Sequence, residues 1–485
     1  MEKDKVSNIT GGVFWAFAER ISAQLVSALV GIILARILLP EDYGAVSIVM
    51  VFITICNVFV TSGFGAAIVQ KKEVDKTDYD TAFILSLVMS VVLYCVLFII
   101  APFVADFYKM PVLRPVIRVL GIRLILTSLN TIQQAHVQRE MQFRKFFIST
   151  LFGTVVSCIV GVIMAYSGCG VWALVCQYLT NTAIDTIVLA FVGGWNPGFK
   201  FSKTKAKEIY SFGGKVLCTE LIFTLEGDIR SLIVGKVFGS ADLAYYDQGR
   251  KYPSLIVGNI NSALTKVLLP ALSREQDNLY ELTKILRKCV MIGCYLLCPL
   301  LIGFAAVADD FVTVVLTEKW AAAVPFIIIF CFSYLTRPIE TACHQALLAI
   351  GRSGIVFWII VSINVVGIAS VIVSVFVLQS VLWIALFSLV CTAVSLVCFL
   401  ISAKVLIGYG FKEQLSDMCP AIGMSLVMGA IVYLFEFIDF SVYLKLTAQV
   451  LTGIIIYIAL SVLTKNKSWN FIISYLKEKF RKKKQ

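Results

Sequence analysis

The sequence predicts an all-α integral membrane protein of about fourteen transmembrane helices. They form two six-helix lobes related by a parallel repeat, with two further C-terminal helices. Three observations predict this. Apolar runs of helix length follow one another almost back to back from Gly12 to Thr464, lysine and arginine crowd into alternate loops, and the chain resembles itself when displaced by about 200 residues.

The 485 residues are 59% hydrophobic and only 15% charged, against roughly half and a quarter in soluble chains, which excludes a cytosolic enzyme. A hydrocarbon core of roughly 30 Å takes about 20 apolar residues per helix. Apolar windows bounded by charge or turn residues place spans near 12–36, 45–69, 82–104, 115–136, 146–167 and 171–192. Eight more follow near 209–237, 243–269, 289–308, 322–350, 355–377, 380–403, 419–435 and 446–463. Met1 to Thr10 is polar and no small-residue cleavage site follows, so the first helix is expected to stay in place. The 14 cysteines form no CxxC pair and sit mostly inside apolar runs, where Cys packs as a small hydrophobe. Two histidines, His136 and His344, give zinc no ligand set, and no metal or cofactor is expected.

With a cytoplasmic N-terminus, both tails and the even-numbered loops collect most of the Lys and Arg outside the spans, among them Lys71, Lys72, Arg144, Lys145, Lys203, Lys205, Arg287 and Lys288. The opposite side receives only Arg36, Lys109, Arg114, Lys236, Lys319 and Lys445, so the positive-inside rule turns both ends toward the cytoplasm of a cell membrane. The net charge of +12 follows from that bias, and with no basic segment on a soluble domain it implies no nucleic-acid partner. The tail, residues 465–485, reads as a basic amphipathic helix along the anionic inner leaflet, with a frayed solvated tail as the alternative.

The displacement by about 200 residues lays Ile33-Leu34-Ala35-Arg36 over Ile233-Val234-Gly235-Lys236 and Asp42 over Asp242. With gaps, Ala101 to Phe107 resembles Ala305 to Phe311, and Val171-Trp172-Ala173-Leu174 resembles Leu382-Trp383-Ile384-Ala385. An even number of spans per repeat lets both halves enter the membrane from the same side. The expected division is residues 1–207 for the first lobe, 208–410 for the second, 411–464 for spans thirteen and fourteen, and 465–485 for the tail.

Charges at mid-bilayer are costly and must face protein or water. They concentrate in spans one, four, seven, eight and ten, where cations outnumber carboxylates, as suits a cavity receiving a phosphate-bearing substrate. Arg118, Arg123, Arg250 and Arg337 are the main candidates, with Arg20 and Lys266 behind them. For each residue singly, ion pairing between helices or snorkelling from a helix end is the alternative; Glu226 and Arg230 stand at the spacing of a local pair, and Arg337, Glu340 and His344 share one helix face. Glu19, Glu220 and Asp228 are the carboxylates suited to load a coupling proton or sodium ion. Asp185 and Glu436 read as interfacial groups near span ends, and Pro253, Pro299, Pro325 and Pro338 as bending points.

No GxxxxGK[ST], GxSxG or HExxH is present, and loops of at most about 18 residues leave no soluble domain for catalysis. Leu34-Ala35-Arg36, Leu39-Pro40-Glu41-Asp42-Tyr43-Gly44, Gly63-Phe64-Gly65-Ala66-Ala67-Ile68-Val69-Gln70, Gln138-Arg139-Glu140-Met141-Gln142-Phe143 and Gly170-Val171-Trp172-Ala173-Leu174-Val175 recur in one order. Ala244-Tyr245-Tyr246-Asp247 and Leu269-Pro270-Ala271-Leu272-Ser273 follow in the second half. This ordered set, spread over roughly residues 10–410, resembles the polysaccharide flippases of the multidrug/oligosaccharidyl-lipid/polysaccharide exporter superfamily. The resemblance implies two six-helix lobes around a central cationic cavity, and transfer of undecaprenyl-diphosphate-linked oligosaccharide between leaflets for capsule, exopolysaccharide or O-antigen. Its implied partners are the lipid-linked oligosaccharide, membrane lipids, and a polysaccharide polymerase with export machinery. It assigns no substrate site, since its motifs mark helix ends. A cation-coupled multidrug exporter, a peptidoglycan-precursor flippase, and a membrane-bound glycan polymerase or scaffold stand as alternatives.

Overall fold

The computed structural model describes residues 24, 26–61, 64–71, 73–140, 142–194, 197–438, 440–471 and 473–474, and every regular element among them is helical. The chain divides into two compact units, Met1–Ala244 and Tyr245–Gln485. In the first, α1 (Val26–Ile37), α2 (Pro40–Thr61), α3 (Phe64–Gln70), α4 (Lys76–Tyr108), α5 (Leu113–Leu120), α6 (Ile122–Arg139), α7 (Phe143–Tyr166), α8 (Val171–Gly193) and α9 (Lys203–Val237) lead into α10 (Ser240–Arg274). The second continues with α11 (Leu279–Ala306), the single turn α12 (Ala308–Phe311), α13 (Val324–Ser333), α14 (Arg337–Ala349), α15 (Ser353–Val373), α16 (Val381–Ile407), α17 (Phe411–Tyr433) and α18 (Val442–Leu463).

Among the described residues ten helices are long and apolar enough to cross a membrane, or eleven if residues 318–333 and 337–349, bent by 42°, count as one broken span. Helices also occupy the predicted spans seven and eight. These are α9 and α10, 35 residues each. Most of the first predicted span lies outside the described residues.

The helices are turned inside out relative to those of a water-soluble protein. On α4 the small or hydroxylic Ala82, Ser86, Ser90 and Ala101 are buried beside Phe83 and Leu97, while Val88, Val92, Ile99 and Phe103 face outward. α18 repeats the pattern, burying Lys445, Gln449, Gly453 and Ser461 and exposing Leu451, Ile455 and Val462. In lipid, apolar exposure costs nothing and close packing of small residues holds helices together.

Capping fixes several helix starts. Asp75 accepts a hydrogen bond from the backbone N–H of Asp78 while Asp78 accepts one from that of Asp75, a reciprocal cap on α4. Lys205 of α9 also reaches Asp75 and Asp78, and Lys71 bridges Asp78 and Glu208 at 2.9 Å each. The Lys205 ammonium holds the Asp75 carboxyl down at about 2. Its ion pair is therefore intact at neutral pH and lost only as the pH falls below the usual carboxylate range toward 2.

Proline does not act uniformly as a bending point. Pro253 and Pro299 lie within continuous helices, whereas Pro325 and Pro338 stand in the first turns of α13 and α14, where the missing N–H is harmless. The sharp break falls between those two helices. Two glycines mark close approaches: a Cβ on Gly44 of α2 would lie 1.8 Å from the carbonyl oxygen of Ser240, and one on Gly249 of α10 would lie 2.3 Å from Cβ of Phe326.

In the second unit α11 and α17 are locked by a charged triad. Arg287 donates from Nε and Nη2 to the Asp417 carboxylate at 2.8 and 3.1 Å, and the Tyr409 hydroxyl donates to the same carboxylate at 2.9 Å. Asp417 is buried, while the Arg287 side chain is 34% exposed. Breaking a fully buried pair costs about 3–5 kcal/mol, and partial hydration of Arg287 reduces that, so Asp417→Ala should lose about 2 kcal/mol. Thermal unfolding of the purified chain in detergent measures it. Lys445, Asp310 and Glu436 form a second lock, at 2.8 and 3.1 Å. Glu436, expected near a span end, is thus a partner of buried Lys445.

Candidate functional site

α5 and α6 together make one span, Leu113–Arg139, interrupted at Gly121, where a Cβ would meet the carbonyl oxygen of Ile117 at 2.8 Å. Arg118 is about 8 Å along this span and Arg123 about 15 Å, at 1.5 Å per residue. The Arg118 guanidinium lies 4.0 Å from the ring centroid of Phe98 on α4, and its Nε has no hydrogen-bond partner. Arg123 points between α2 and α8. Its Nε donates to the Thr182 hydroxyl at 3.0 Å, its Nη1 to the Met50 sulfur at 3.7 Å, and the Tyr178 ring is 5.6 Å away. Among the described residues no carboxylate pairs with either guanidinium. The neighbours of these two cations among the described residues are neutral, an arrangement that desolvation disfavours unless an anion arrives.

A complementary acid lies further along the same helices. Asp185, eight residues before the end of α8, accepts a 2.6 Å hydrogen bond from Asn130 Nδ2 of α6. Ser149 of α7 borders it. Asp185 Oδ1 and Asn130 Oδ1 both lack a close donor. Beside them Thr186 donates to the Leu126 and Thr182 carbonyls, and Asn181 to the Ser157 hydroxyl at 3.4 Å. Asp185 therefore belongs to the interior of the bundle, not to an interface. Asn181, Thr182, Asp185 and Thr186 lie at helical spacing in an otherwise apolar run, and that stripe was the available sign.

The other sequence candidates are spread over both units. Arg250 is half-buried on α10, and Arg337, exposed at the start of α14, makes a 3.7 Å contact with Glu340. Glu340 is itself engaged by Thr336 at 2.5 Å and Ser395 at 2.9 Å. On α9, Glu220 is exposed and Asp228 half-buried. Glu19 and Arg20 lie outside the described residues, as does the side chain of Lys266. Arg118 and Arg123 are brought into one unit but onto different neighbours, so they do not form a shared clamp within it. No group of three or more His, Cys, Asp or Glu side chains among the described residues is arranged to hold a metal ion.

Exposed large apolar side chains and, among the described residues, ten helices of membrane length define a multi-pass membrane protein. The chain belongs to the polysaccharide biosynthesis protein family, whose profile matches residues 33–325. It is 22% identical over 327 residues to the lipopolysaccharide biosynthesis protein WzxC of Escherichia coli (strain K12), covering 67% of this chain and 66% of that one. It is 24% identical over 315 residues to the teichuronic acid biosynthesis protein TuaB of Bacillus subtilis (strain 168), covering 62% and 63%. The chain thus spans slightly under two thirds of the length of these two relatives. Its fold is that of the lipid II flippase MurJ in an inward closed conformation, with a TM-score of 0.76 at 12% identity, over 93% of this chain and 98% of that one.

Proposed function

We propose that the protein is a carrier, not an enzyme, moving undecaprenyl-diphosphate-linked oligosaccharide repeat units from the inner to the outer leaflet of the cytoplasmic membrane for polysaccharide export. Both termini face the cytoplasm, and two six-helix lobes, 1–207 and 208–410, alternate access to a cationic cavity. Family membership supports the pathway. The observation that carries the ligand chemistry is that, among the described residues, no carboxylate pairs with Arg118 or Arg123. A diphosphate supplies the missing anion and the acceptors for guanidinium N–H groups. Arg250, Arg337, Arg20 and Lys266 complete the proposed diphosphate-binding set, and the Arg337 contact to Glu340 is long, at 3.7 Å.

Reconstitution in vesicles with a labelled diphosphate-linked oligosaccharide tests this. Arg118→Gln and Arg337→Gln should each lower the transfer rate about tenfold, in line with about 1.5–3 kcal/mol for a hydrogen bond to a charged group. Unchanged transfer in both would remove the phosphate clamp. A dye exporter would depend instead on carboxylates, and loss of a peptidoglycan-precursor flippase would be lethal whatever the capsule.

Coupling by a proton or sodium ion fits Asp185 with Asn130, each of which keeps one buried oxygen without a hydrogen-bond donor among the described residues, besides Glu19, Glu220 and Asp228. Asp185→Asn should leave thermal unfolding unchanged or raised and make transfer insensitive to an imposed proton or sodium gradient. Retained gradient dependence would exclude Asp185 from coupling.

A further inference from the structure

The second unit holds a cavity of about 630 Å³ where the start of α11, the end of α16, the start of α17 and residues 467–471 meet. We propose that it binds the phosphate headgroup of an anionic membrane phospholipid, at a site separate from any transport cavity. Nothing in this inference depends on what the protein carries.

Charge comes first. Lys284, Arg287, Lys288 and Lys467 line the cavity together with two carboxylates, Glu413 and Asp417. Both acids are already engaged: Asp417 by Arg287 and Tyr409, and Glu413 by the backbone N–H of Gly410 at 2.6 Å, where it caps α17. Among the cations, Lys284 pairs with Glu281 at 3.2 Å, and the other three keep free donors. Arg287 has five N–H donors and uses two on Asp417, leaving three for a ligand. Lys467 has no ion pair among the described residues, and the Lys288 ammonium lies 3.7 Å from the ring centroid of Phe471. Asp417 thereby sets the guanidinium plane, and the lysines form a flexible rim, an arrangement that recognises a phosphodiester.

Position and surroundings select a lipid over a free anion. The cavity lies where four membrane helices begin or end, at Leu279, Ile407, Phe411 and Leu463, which is headgroup depth for this bundle. Its wall includes apolar Met291 and Phe471, and exposed Leu279 and Tyr280 stand at its mouth, giving acyl chains a surface beside the charged floor. On the orientation read from the lysine and arginine bias, this is the cytoplasmic leaflet, where basic pockets between helices meet anionic lipids.

Native mass spectrometry of the full purified chain, titrated with dioleoyl phosphatidylglycerol, tests the site. Lys288→Glu combined with Lys467→Glu should weaken retention at least about tenfold, since each lysine at the membrane surface contributes roughly a fivefold factor. Lys404→Glu combined with Lys412→Glu changes net charge equally at positions outside the cavity, and should retain the lipid as the wild type does. Dioleoyl phosphatidylcholine should not be retained, and millimolar inorganic phosphate should neither bind nor displace. Equal loss in both double variants would reduce the effect to general surface charge and overturn the proposal. So would equal retention of phosphatidylcholine, or displacement by inorganic phosphate. If the charge-reversed pair does not fold, Lys467→Gln alone should still weaken retention by about fivefold, and wild-type retention in it would overturn the site.

Discussion

Gly44→Ala should fail to give a stable protein. One added methyl on α2 would lie 1.8 Å from the carbonyl oxygen of Ser240, 2.4 Å from its carbonyl carbon and 2.8 Å from its Cα, all of them backbone atoms at the start of α10. A flexible side chain could swing away from such an intrusion; a helix terminus must move as a body, together with whatever packs on it. Overpacking typically costs about 1–3 kcal/mol, and backbone contact at this distance belongs at or beyond the upper end. Gly423→Ala, in the interior of α17 with nothing within 4 Å of the added Cβ, is the matched control. It should be neutral or stabilising by up to about 1 kcal/mol, because alanine loses less backbone entropy than glycine in a helix. Yield of monodisperse protein and its unfolding temperature in detergent measure both. Equal behaviour of the two variants would mean that α2 and α10 do not approach as described.

Arg123→Met should separate stability from function. The wild-type guanidinium is held mid-span by Thr182, Met50 and Tyr178, with no carboxylate to offset its desolvation. Methionine fills similar volume without charge, so the unfolding temperature should hold or rise. Transfer of a diphosphate-linked oligosaccharide should fall tenfold to a hundredfold, the loss expected when a charge-assisted hydrogen bond is removed from bound phosphate. The opposite pair of results, a lower unfolding temperature with normal transfer, would make Arg123 a structural residue.

Much of the fold was legible in the residues. A span in lipid must satisfy its backbone within one helix, so hydropathy marks where most helices lie; among the described residues ten or eleven apolar spans stand where fourteen are predicted, and the predicted span 322–350 is broken between α13 and α14. The Leu39 to Gly44 motif is now physical at its last position, since Gly44 is where α2 passes too near Ser240 to carry a Cβ. The candidate site was legible only in kind. That lipid-depth cations must find partners follows from composition. Which partner each finds does not, because it depends on helix rotation: Arg337 reaches Glu340 on its own helix, whereas Arg118 stacks on Phe98 and Arg123 bonds Thr182.

Asp185 marks the division between the two kinds of information. Its sequence position implied a group near a span end, but α6, α7 and α8 pack so that Asn130 meets it inside the bundle. The sequence by itself determined that this is a multi-pass membrane protein, because burying so many apolar residues in so few charges admits no soluble alternative. Tertiary structure alone decided which polar groups are paired and which are left open, because pairing is set at the scale of a hydrogen bond, far finer than the hydropathy of a twenty-residue window.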